Sequence, residues 1–416
     1  MLIRLAARSL WARKLTVGLT VLAIAMSVAL FLGVEKVRTG TKASFMDTIS
    51  GTDLIVGART GSVQLLLYSV FHLGNATNNI GWDSLKQVSK SSGVDWLVPI
   101  SLGDSHKQFR VMGTTKEFFQ RYQFRRGQTL SMRQGKEFDD LFDTVIGADV
   151  AKALGYKVGD PIVVAHGLAS FSKHDTYPFR VTGILEKTGT PVDRTVIVSL
   201  RAIEAIHVDW KKGMKKPGQS TPADALRQMP LVPKSVTAAL VGTTSPIKIF
   251  GLQRSINNYP KEPLQAVMPG LALQELWQLV GVAETALVVI SVMVIVTALL
   301  GMMANVFASL NERRREMAIY RAMGAGPSTI FLLLMIETLL VVILGCLLSV
   351  ILVYLMLILG QPYLDQQFGI WLPIQMLSTR ELWTLLAVVG VGAMASLLPA
   401  WRAYRLSLAD GMMVKS

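Results

Sequence analysis

Residues 15–34, LTVGLTVLAIAMSVALFLGV, form an uninterrupted run of uncharged and mostly apolar residues. Because a helix rises by ~1.5 Å per residue, the run is long enough to cross a hydrocarbon core of ~30 Å. Four basic residues between positions 4 and 14 precede it, an arrangement that also occurs in secretory signal peptides. The apolar core is long for a signal and no small-residue cleavage site precedes Glu35. We therefore interpret the run as a membrane anchor.

Three further apolar runs lie in the last third of the chain, at 279–304, 330–359 and 382–398. The mean hydropathy of +0.42 is also higher than soluble domains usually reach. Between the first and second runs, charged residues, Gly and Pro are scattered, and short strand-like segments alternate with turns. The sequence therefore predicts an α-helical membrane domain of four spanning helices, with a mixed α+β domain inserted between the first two.

The distribution of basic residues predicts the orientation of these helices. Arg313–Arg315 lie between the second and third runs, and further basic residues follow the fourth run, whereas 361–380 contain only Arg380. By the positive-inside rule, both termini and the 305–328 loop are cytoplasmic, and the large domain is periplasmic, on the outer side of a bacterial inner membrane. The formal net charge of +14 therefore reflects topology, and we expect no nucleic-acid partner.

The first two spanning helices are predicted to be longer than a membrane requires. No proline interrupts 271–310, and a continuous helix of that length would extend ~60 Å, about twice the hydrocarbon core. In 15–49 only three isolated glycines weaken the helix. We expect both helices to continue outward as a stalk. The alternative is a break in each helix at the membrane interface, near Gly40 and Gly281.

These patterns divide the chain into nine segments. They are a cytoplasmic interfacial helix at 1–14, the first spanning helix and stalk at 15–50, the periplasmic core domain at 51–270 with a mobile Lys- and Pro-rich insertion at 211–233, the second stalk and spanning helix at 271–305, a cytoplasmic coupling loop at 306–328, the third spanning helix at 329–360, a periplasmic loop at 361–380, the fourth spanning helix at 381–400, and a cytoplasmic tail at 401–416.

The most informative motif is Asn311–Ala325, NERRREMAIYRAMGA, in the loop between the second and third runs. The motif predicts a charged helical turn, followed by an amphipathic turn that ends at Gly324. Met317, Tyr320 and Met323 can dock into a groove of a partner while the charged residues fix the orientation. The residues alone fit equally a positively charged loop that contacts only lipid, which is the commoner arrangement.

This motif resembles the signature of the FtsX-like, MacB-type ABC transporter permeases. In that family, the loop before the third spanning helix typically reads Arg-x-Arg-Glu-Ile-Gly-x-x-(Arg/Lys)-Ala-x-Gly-Ala, and here Met317 and Ala318 replace its Ile and Gly. The ending at 399–405 is similar to the family's Pro-Ala-x-Arg-Ala ending, and 146–160 resembles part of its periplasmic core. The resemblance covers nearly the whole chain.

The resemblance implies a permease subunit that is not itself an enzyme. Family members include LolC and LolE, MacB and FtsX, and they are thought to couple ATP hydrolysis to motion of the periplasmic domain (mechanotransmission). It implies a homodimer and a cytoplasmic ABC ATPase dimer that holds ATP and Mg, with a periplasmic adaptor or lipoprotein as a further partner. No phosphate-binding P-loop motif occurs in the chain, so no cofactor is expected on it directly. The residues expected to contact the ATPase are Glu312, Arg313, Arg315, Glu316, Met317, Tyr320, Arg321 and Gly324.

The large domain contains two weaker candidate sites. The apolar run 65–73 is too short to span a membrane, and it is either a buried helix, the more frequent case, or an exposed surface for a lipid-like substrate or a partner. The candidate contact residues are Leu66, Tyr68, Phe71 and His72. His166 can approach His174 and Asp175 across a hairpin and bind zinc. Because no further ligands are evident, we predict no metal site.

The sequence therefore favours a MacB/LolCDE-type permease that exports or extracts a lipophilic or periplasmic substrate. Two alternatives stay open at this point. One is an FtsX-like regulator that moves a periplasmic partner without transport. The other is a metal-handling protein with a membrane anchor.

The predicted orientation can be tested by cysteine labelling, because Cys346 is the only cysteine in the chain. In a Cys346→Ala background, Ser172→Cys should react with a membrane-impermeant thiol reagent applied from outside, and Ser309→Cys should not. Labelling of the Ser309→Cys variant by this reagent in intact spheroplasts would show that the orientation is inverted.

Overall fold

The computed structural model describes residues 2–125, 127–167, 176–211, 214–215, 221–312, 314–368, 372 and 374–412. The chain divides into two compact units. We call Met1–Gly40, Gly281–Tyr363 and Leu372–Ser416 the helical unit, and Thr41–Val280 with Leu364–Trp371 the α/β unit.

The helices alternate between long apolar segments and short amphipathic ones. They are α1 (Leu2–Ala12), α2 (Lys14–Asp47), α3 (Ser62–Ser69), α4 (Trp82–Ser89), α5 (Glu117–Arg121), α6 (Ala148–Leu154), α7 (Leu200–His207), α8 (Ala223–Gln228), α9 (Ile249–Asn257), α10 (Pro269–Glu312), α11 (Arg314–Ala322), α12 (Pro327–Phe368) and α13 (Thr379–Met412). Within the described residues, parts of α2, α10, α12 and α13 are long and apolar enough to cross a membrane. This confirms the predicted number of spanning helices.

Helices α2 and α10 continue without interruption through Gly40 and Gly281. An isolated glycine costs a helix only about 1 kcal/mol relative to alanine, so neither position ends the helix. The alternative with a break near each glycine does not occur. Helix α12 also continues past Pro362 to Phe368, whereas the sequence predicted a loop from residue 361. The residues directly after Pro362 include no second helix breaker, and the helix therefore extends by about two further turns.

The strands of the α/β unit are mostly short and buried. They are β1 (Leu54–Ala58), β2 (Ile80–Gly81), β3 (Val94–His106), β4 (Phe109–Thr114), β5 (Gln123–Phe124), β6 (Gln128–Thr129), β7 (Met132–Gly135), β8 (Asp143–Ile146), β9 (Pro161–Ile162), β10 (Ala165–His166), β11 (Phe179–Leu185), β12 (Thr195–Ser199), β13 (Trp210–Lys211), β14 (Met214–Lys215), β15 (Ser235–Val236), β16 (Ala238–Thr243) and β17 (Leu264–Val267). This confirms the predicted mixed α+β domain.

The main sheet has the strand order β17-β1-β16-β3-β4-β12-β8-β11-β7, with β10 added beside β3 and β9 beside β11. Strand pairs β4/β12 and β8/β11 are parallel, and the other pairs in this sheet are antiparallel. Strand β3 joins the two halves of the sheet, because its first part pairs with β16 and its second part with β4. The register of β3 against β4 shifts between Leu102 and Ser105, which is a bulge in a long strand.

Three aromatic side chains join the ends of α2 and α10 to the core of the α/β unit. The ring of Phe45, near the end of α2, stacks on Phe71 with a centroid distance of 4.6 Å. The same ring makes an edge contact with Trp277, near the start of α10, at 5.7 Å. All three rings contact the largest buried cluster of the unit. Phe45 therefore fixes both helix ends to one core, because aromatic pairs bury a large apolar area.

Candidate functional site

Charged side chains of three helices meet at one end of the helical unit. The ammonium Nζ of Lys36 on α2 lies 3.2 Å from Glu381 Oε2 at the start of α13. It also donates hydrogen bonds of 3.1 Å to the carbonyl oxygens of Gln375 and Met376. Only 9% of the Lys36 side chain and 2% of the Glu381 side chain are exposed. Because a buried charge needs a close partner, this ion pair fixes α2 to the segment that begins α13.

A second set of ion pairs surrounds Glu35 on α2. The guanidinium of Arg38 donates two hydrogen bonds to the Glu35 carboxylate, at 2.8 and 3.1 Å. Arg38 also lies 3.6 Å from Glu284 on α10, and Arg380 on α13 lies 3.4 Å from Glu35. These bridges connect α2 to both α10 and α13, next to the buried Lys36 pair. A network of several charges is stronger evidence for a fixed geometry than an isolated surface pair.

The opposite end of the helical unit has its own ion pair. Arg13, just before α2, lies 3.3 Å from Glu337 on α12. Both residues line a cavity of ≈ 200 Å³ together with Thr20 and Asn305. The amide of Asn305 on α10 donates a hydrogen bond of 2.8 Å to the Thr20 hydroxyl. Polar contacts therefore connect α2, α10 and α12 at this end.

The middle of the spanning helices carries hydroxyl groups but no charges. No Asp, Glu, Lys or Arg occurs between the two charged ends of each spanning run. The hydroxyls there donate to backbone carbonyls of their own helix: Ser27 to Ala23, Ser291 to Leu287, Thr297 to Met293 and Ser349 to Cys346. In this geometry the hydrogen of each hydroxyl is used within its own helix.

The described part of the coupling motif confirms the predicted helix end at Gly324. Helix α11 ends there because Gly324 has a φ of +92°, a conformation in which glycine has no steric penalty. Met317 is half-buried and packs on Ile330 and Leu334 of α12. Glu316 and Met323 are exposed, and Tyr320 and Arg321 are half-buried. Arg313 and the side chains of Glu312 and Arg315 lie outside the described residues.

One exposed residue of this segment was missed by the sequence interpretation. Ile319 on α11 is 53% exposed, and Met323, directly after the helix, is 70% exposed. The sequence contains the signal for this surface, because Ile319 and Met323 are four residues apart and residues at that spacing lie on the same face of a helix. Ile319 and Met323 therefore form an exposed apolar surface, whereas Met317 packs on its own chain.

Most of the candidate substrate surface in 65–73 is buried, although Leu73 at its end is exposed. Leu66 and Tyr68 are fully buried, and Phe71 stacks on Phe45 in the core. Helix α3 packs on the buried strand β1, so the apolar side chains of α3 have a partner within the domain. Of the two interpretations of this run, the buried helix is therefore correct for Leu66, Tyr68 and Phe71, whereas His72 is half-buried.

His72 makes a hydrogen bond to Thr195 that determines which ring nitrogen carries the proton. Its Nδ1 lies 3.0 Å from the Thr195 hydroxyl. That hydroxyl donates to the Pro191 carbonyl at 2.9 Å, so it accepts from His72 and the imidazole carries its proton on Nδ1. Burial, together with the nearby charge of Arg110, lowers the pKa of His72 to about 4. His72 is therefore a neutral structural group at neutral pH.

The expected approach of His166 to His174 and Asp175 is not tested by the described residues. His174 and Asp175 lie outside the described residues. His166 lies beside Asp104 and His207, and one ligand atom from each of the three side chains lies within 4.8 Å of the other two. The sequence interpretation missed Asp104 and His207 because they lie on distant segments of the chain. Only the strand register and the end of α7 bring them to His166.

The depressed pKa of His72 predicts an acid-sensitive domain. The unfolded chain protonates this histidine below its ordinary pKa of about 6.5, whereas the folded chain resists protonation until about pH 4. Stability that is present above pH 6.5 is therefore lost as the pH falls towards 4. The His72→Asn variant, which cannot titrate but keeps a donor for Thr195, should lose less thermal stability between pH 7.5 and 5 than the wild-type chain. Equal losses in both proteins, measured as thermal midpoints in detergent, would show that His72 does not titrate as described.

Two family models match the sequence. The model for the MacB-like periplasmic core domain matches residues 17–229, just over half of the chain. The model for the C-terminal part of FtsX-like permeases matches residues 288–408. A comparison with curated proteins found no match.

Solved structures of extracytoplasmic domains also resemble the chain. One is the periplasmic region of MacB from Actinobacillus actinomycetemcomitans, with 11% identity and a TM-score of 0.34 over 55% of this chain and 94% of that chain. Another is the extracellular domain of the noncanonic ABC-type transporter YknZ from Gram-positive bacteria, with 12% identity and a TM-score of 0.31 over 52% of this chain and 99% of that chain.

The family models carry the assignment, and their order along the chain agrees with the architecture. The core-domain match includes α2 and most of the α/β unit, and the permease match includes most of the spanning parts of α10, α12 and α13. A permease component of this type is not itself catalytic. The chain, a membrane protein with an extracytoplasmic domain, belongs to the FtsX-like, MacB-type ABC transporter permeases.

Proposed function

We propose that the chain is the permease subunit of a MacB/LolCDE-type transporter that converts ATP hydrolysis on a separate ATPase dimer into motion of its extracytoplasmic domain. It works as a homodimer, with its termini and the 306–328 loop in the cytoplasm and its large domain in the periplasm. ATP and Mg are held by the ATPase. The substrate is lipophilic or periplasmic.

The observation that carries this proposal is the continuity of α2 and α10. Each helix is unbroken, with 34 and 44 residues, whereas ~20 residues suffice to cross a bilayer. The ends of both helices are fixed by Phe45 and Trp277 in the core of the α/β unit. The proposal requires that a displacement along either helix reaches that core.

The ion pairs of the helical unit support a concerted movement. Lys36, Glu35 and Arg38 on α2 are bonded to groups on α10 and α13. Breaking one such contact leaves a charge in a poorly solvated environment, which is costly. The helices are therefore expected to move together, because independent sliding would separate these partners.

The chemistry of the spanning helices favours transmission of force over a polar passage. A path for polar cargo is usually lined by ionisable or polar side chains that face a water-filled space. Here the charges lie at the two ends of the helical unit, and the hydroxyls named above donate to their own helices. We infer that cargo is handled by the periplasmic domain, or drawn laterally from the outer leaflet.

The ATPase contact is assigned to the segment around α11. Ile319 and Met323 present apolar side chains, and Glu316 presents a charge in the same segment. An amphipathic helix of this kind docks into a groove through its apolar anchors, and the charges set its orientation. Gly324 ends the helix, and α12 begins at Pro327, so the segment is closely followed by a spanning helix.

A charge reversal in α11 should uncouple the ATPase. We expect Glu316→Lys to reduce stimulation of the partner ATPase by roughly tenfold, because like charges placed across an interface are repelled. The matched control is Asp139→Lys, which makes the same charge change at an exposed position of the α/β unit. Both variants should insert and fold as the wild-type chain does.

The measurement combines co-purification of the ATPase with its hydrolysis rate in detergent. The proposal requires that Glu316→Lys lowers both quantities and that Asp139→Lys changes neither. If the Glu316→Lys variant retains the ATPase and its full stimulation, the segment is a topology signal that contacts only lipid.

A further inference from the structure

A cluster of Asp104, His166 and His207 in the α/β unit has no role in the proposed function. Asp104 lies within the bulge of β3, and the pairing of β10 with β3 places His166 directly opposite it. His207 is the last residue of α7, the helix that follows β12. Three separate elements of the fold therefore bring these side chains together.

The distances within the cluster match those between ligands of one metal ion. His166 Nδ1 lies 3.2 Å from Asp104 Oδ1 and 3.2 Å from His207 Nε2. His207 Nε2 lies 3.9 Å from the same Asp104 oxygen. Zinc–nitrogen and zinc–oxygen bonds of ~2.0–2.1 Å in a tetrahedron place neighbouring ligand atoms ~3.3 Å apart. The three atoms therefore already have nearly the spacing that a tetrahedral ion requires.

The protonation of His207 also suits a metal ligand. Its Nδ1 lies 2.7 Å from the Ile203 carbonyl oxygen of the preceding helical turn. A carbonyl only accepts, so Nδ1 carries the proton and donates it, and in the neutral ring Nε2 is the nitrogen that carries the lone pair. That lone pair is on the nitrogen that faces the cluster. A hydrogen bond from the other ring nitrogen to a backbone carbonyl is a common support for metal-bound histidine.

Asp104 provides an independent indication of a ligand. Its side chain is only 4% exposed, and Oδ1 accepts no hydrogen bond of acceptable geometry within the described structure. A buried carboxylate oxygen that has lost its water is costly unless a cation or a protonated imidazole lies beside it. The same oxygen is the atom that faces both histidines. A cation between the three groups would compensate this cost.

The ring of His166 also contacts an aromatic neighbour. It stacks on the indole of Trp210 with a centroid distance of 6.1 Å and an interplanar angle of 22°. The His166 side chain is 49% exposed and that of His207 is 28% exposed. The cluster is therefore anchored on a buried carboxylate and reached from solvent past the imidazoles, which gives an ion a route of entry.

We propose that Asp104, His166 and His207 bind a divalent transition-metal ion, with Zn²⁺ as the best fit. Two imidazoles and one carboxylate suit Zn²⁺ and related divalent transition-metal ions, whereas Ca²⁺ and Mg²⁺ prefer oxygen atoms for all of their ligands. The bound ion would join β3, β10 and α7 in the half of the sheet around β4. This proposal is independent of the ATPase coupling and of the substrate.

The test is metal binding to the full-length chain, purified in detergent and stripped with a chelator. Titration with Zn²⁺ or Co²⁺ alone should give one tight site per chain, and Co²⁺ should develop the visible absorption of a tetrahedral complex. Ca²⁺ and Mg²⁺ should not compete. The expected loss of Zn²⁺ affinity in His207→Gln or His166→Gln is roughly hundredfold or more, beyond what loss of a supporting residue costs.

The control is Asp139→Asn, which removes a carboxylate at an exposed position and should leave the titration unchanged. His166 is half exposed, so His166→Gln should keep its metal-free thermal midpoint even if Asp104→Asn does not fold. The proposal is overturned if the chain shows no saturable site. It is equally overturned if both histidine variants bind Zn²⁺ as the wild-type chain does, since the cluster would then be held by hydrogen bonds only.

Discussion

The ion pair between Lys36 and Glu381 is the contact on which the helical unit depends most. Both side chains are nearly inaccessible, and the ammonium has two further carbonyl partners before α13. In such an environment a charge is tolerated only with its partner in place, so the pair selects one packing of α2 against α13. The Glu35 network adds α10 to the same end. At the opposite end of the unit, Arg13 and Glu337 connect α2 to α12.

The sequence predicted the spanning helices and the α+β domain because both depend on local signals. Run length and hydropathy identify a spanning helix, and alternation with turn residues indicates short strands. The length of α12 was underestimated, because Pro362 was taken to lie in a loop and instead lies within the helix. The order of the sheet was not predictable in this way. The pairing of β10 with β3 depends on side-chain packing between distant segments, which one sequence does not display.

For the functional residues too, features that depend on local signals were predicted, and contacts between distant segments were not. The helix end at Gly324 was predicted, because one residue and its neighbours determine it. The ion pairs of Arg38 with Glu284 and of Arg13 with Glu337 could not be predicted, because sequence position does not identify such partners. The run that contains Leu66, Tyr68, Phe71 and His72 was left open between a buried helix and a surface, because an apolar run looks alike in a core and on a surface. The cluster of Asp104, His166 and His207 was missed because its members lie far apart along the chain.

The most direct test is a double-mutant cycle on Lys36 and Glu381, with thermal midpoints measured in detergent. The account predicts that Lys36→Met and Glu381→Gln each lower the midpoint substantially, since removing one partner of a buried pair costs about 3–5 kcal/mol. The double variant should then be more stable than the sum of the two losses implies, because no unpaired charge remains. The exposed pair Lys116 and Asp139 serves as the reference cycle. Additive losses at Lys36 and Glu381, as expected for residues that do not interact, would contradict the account.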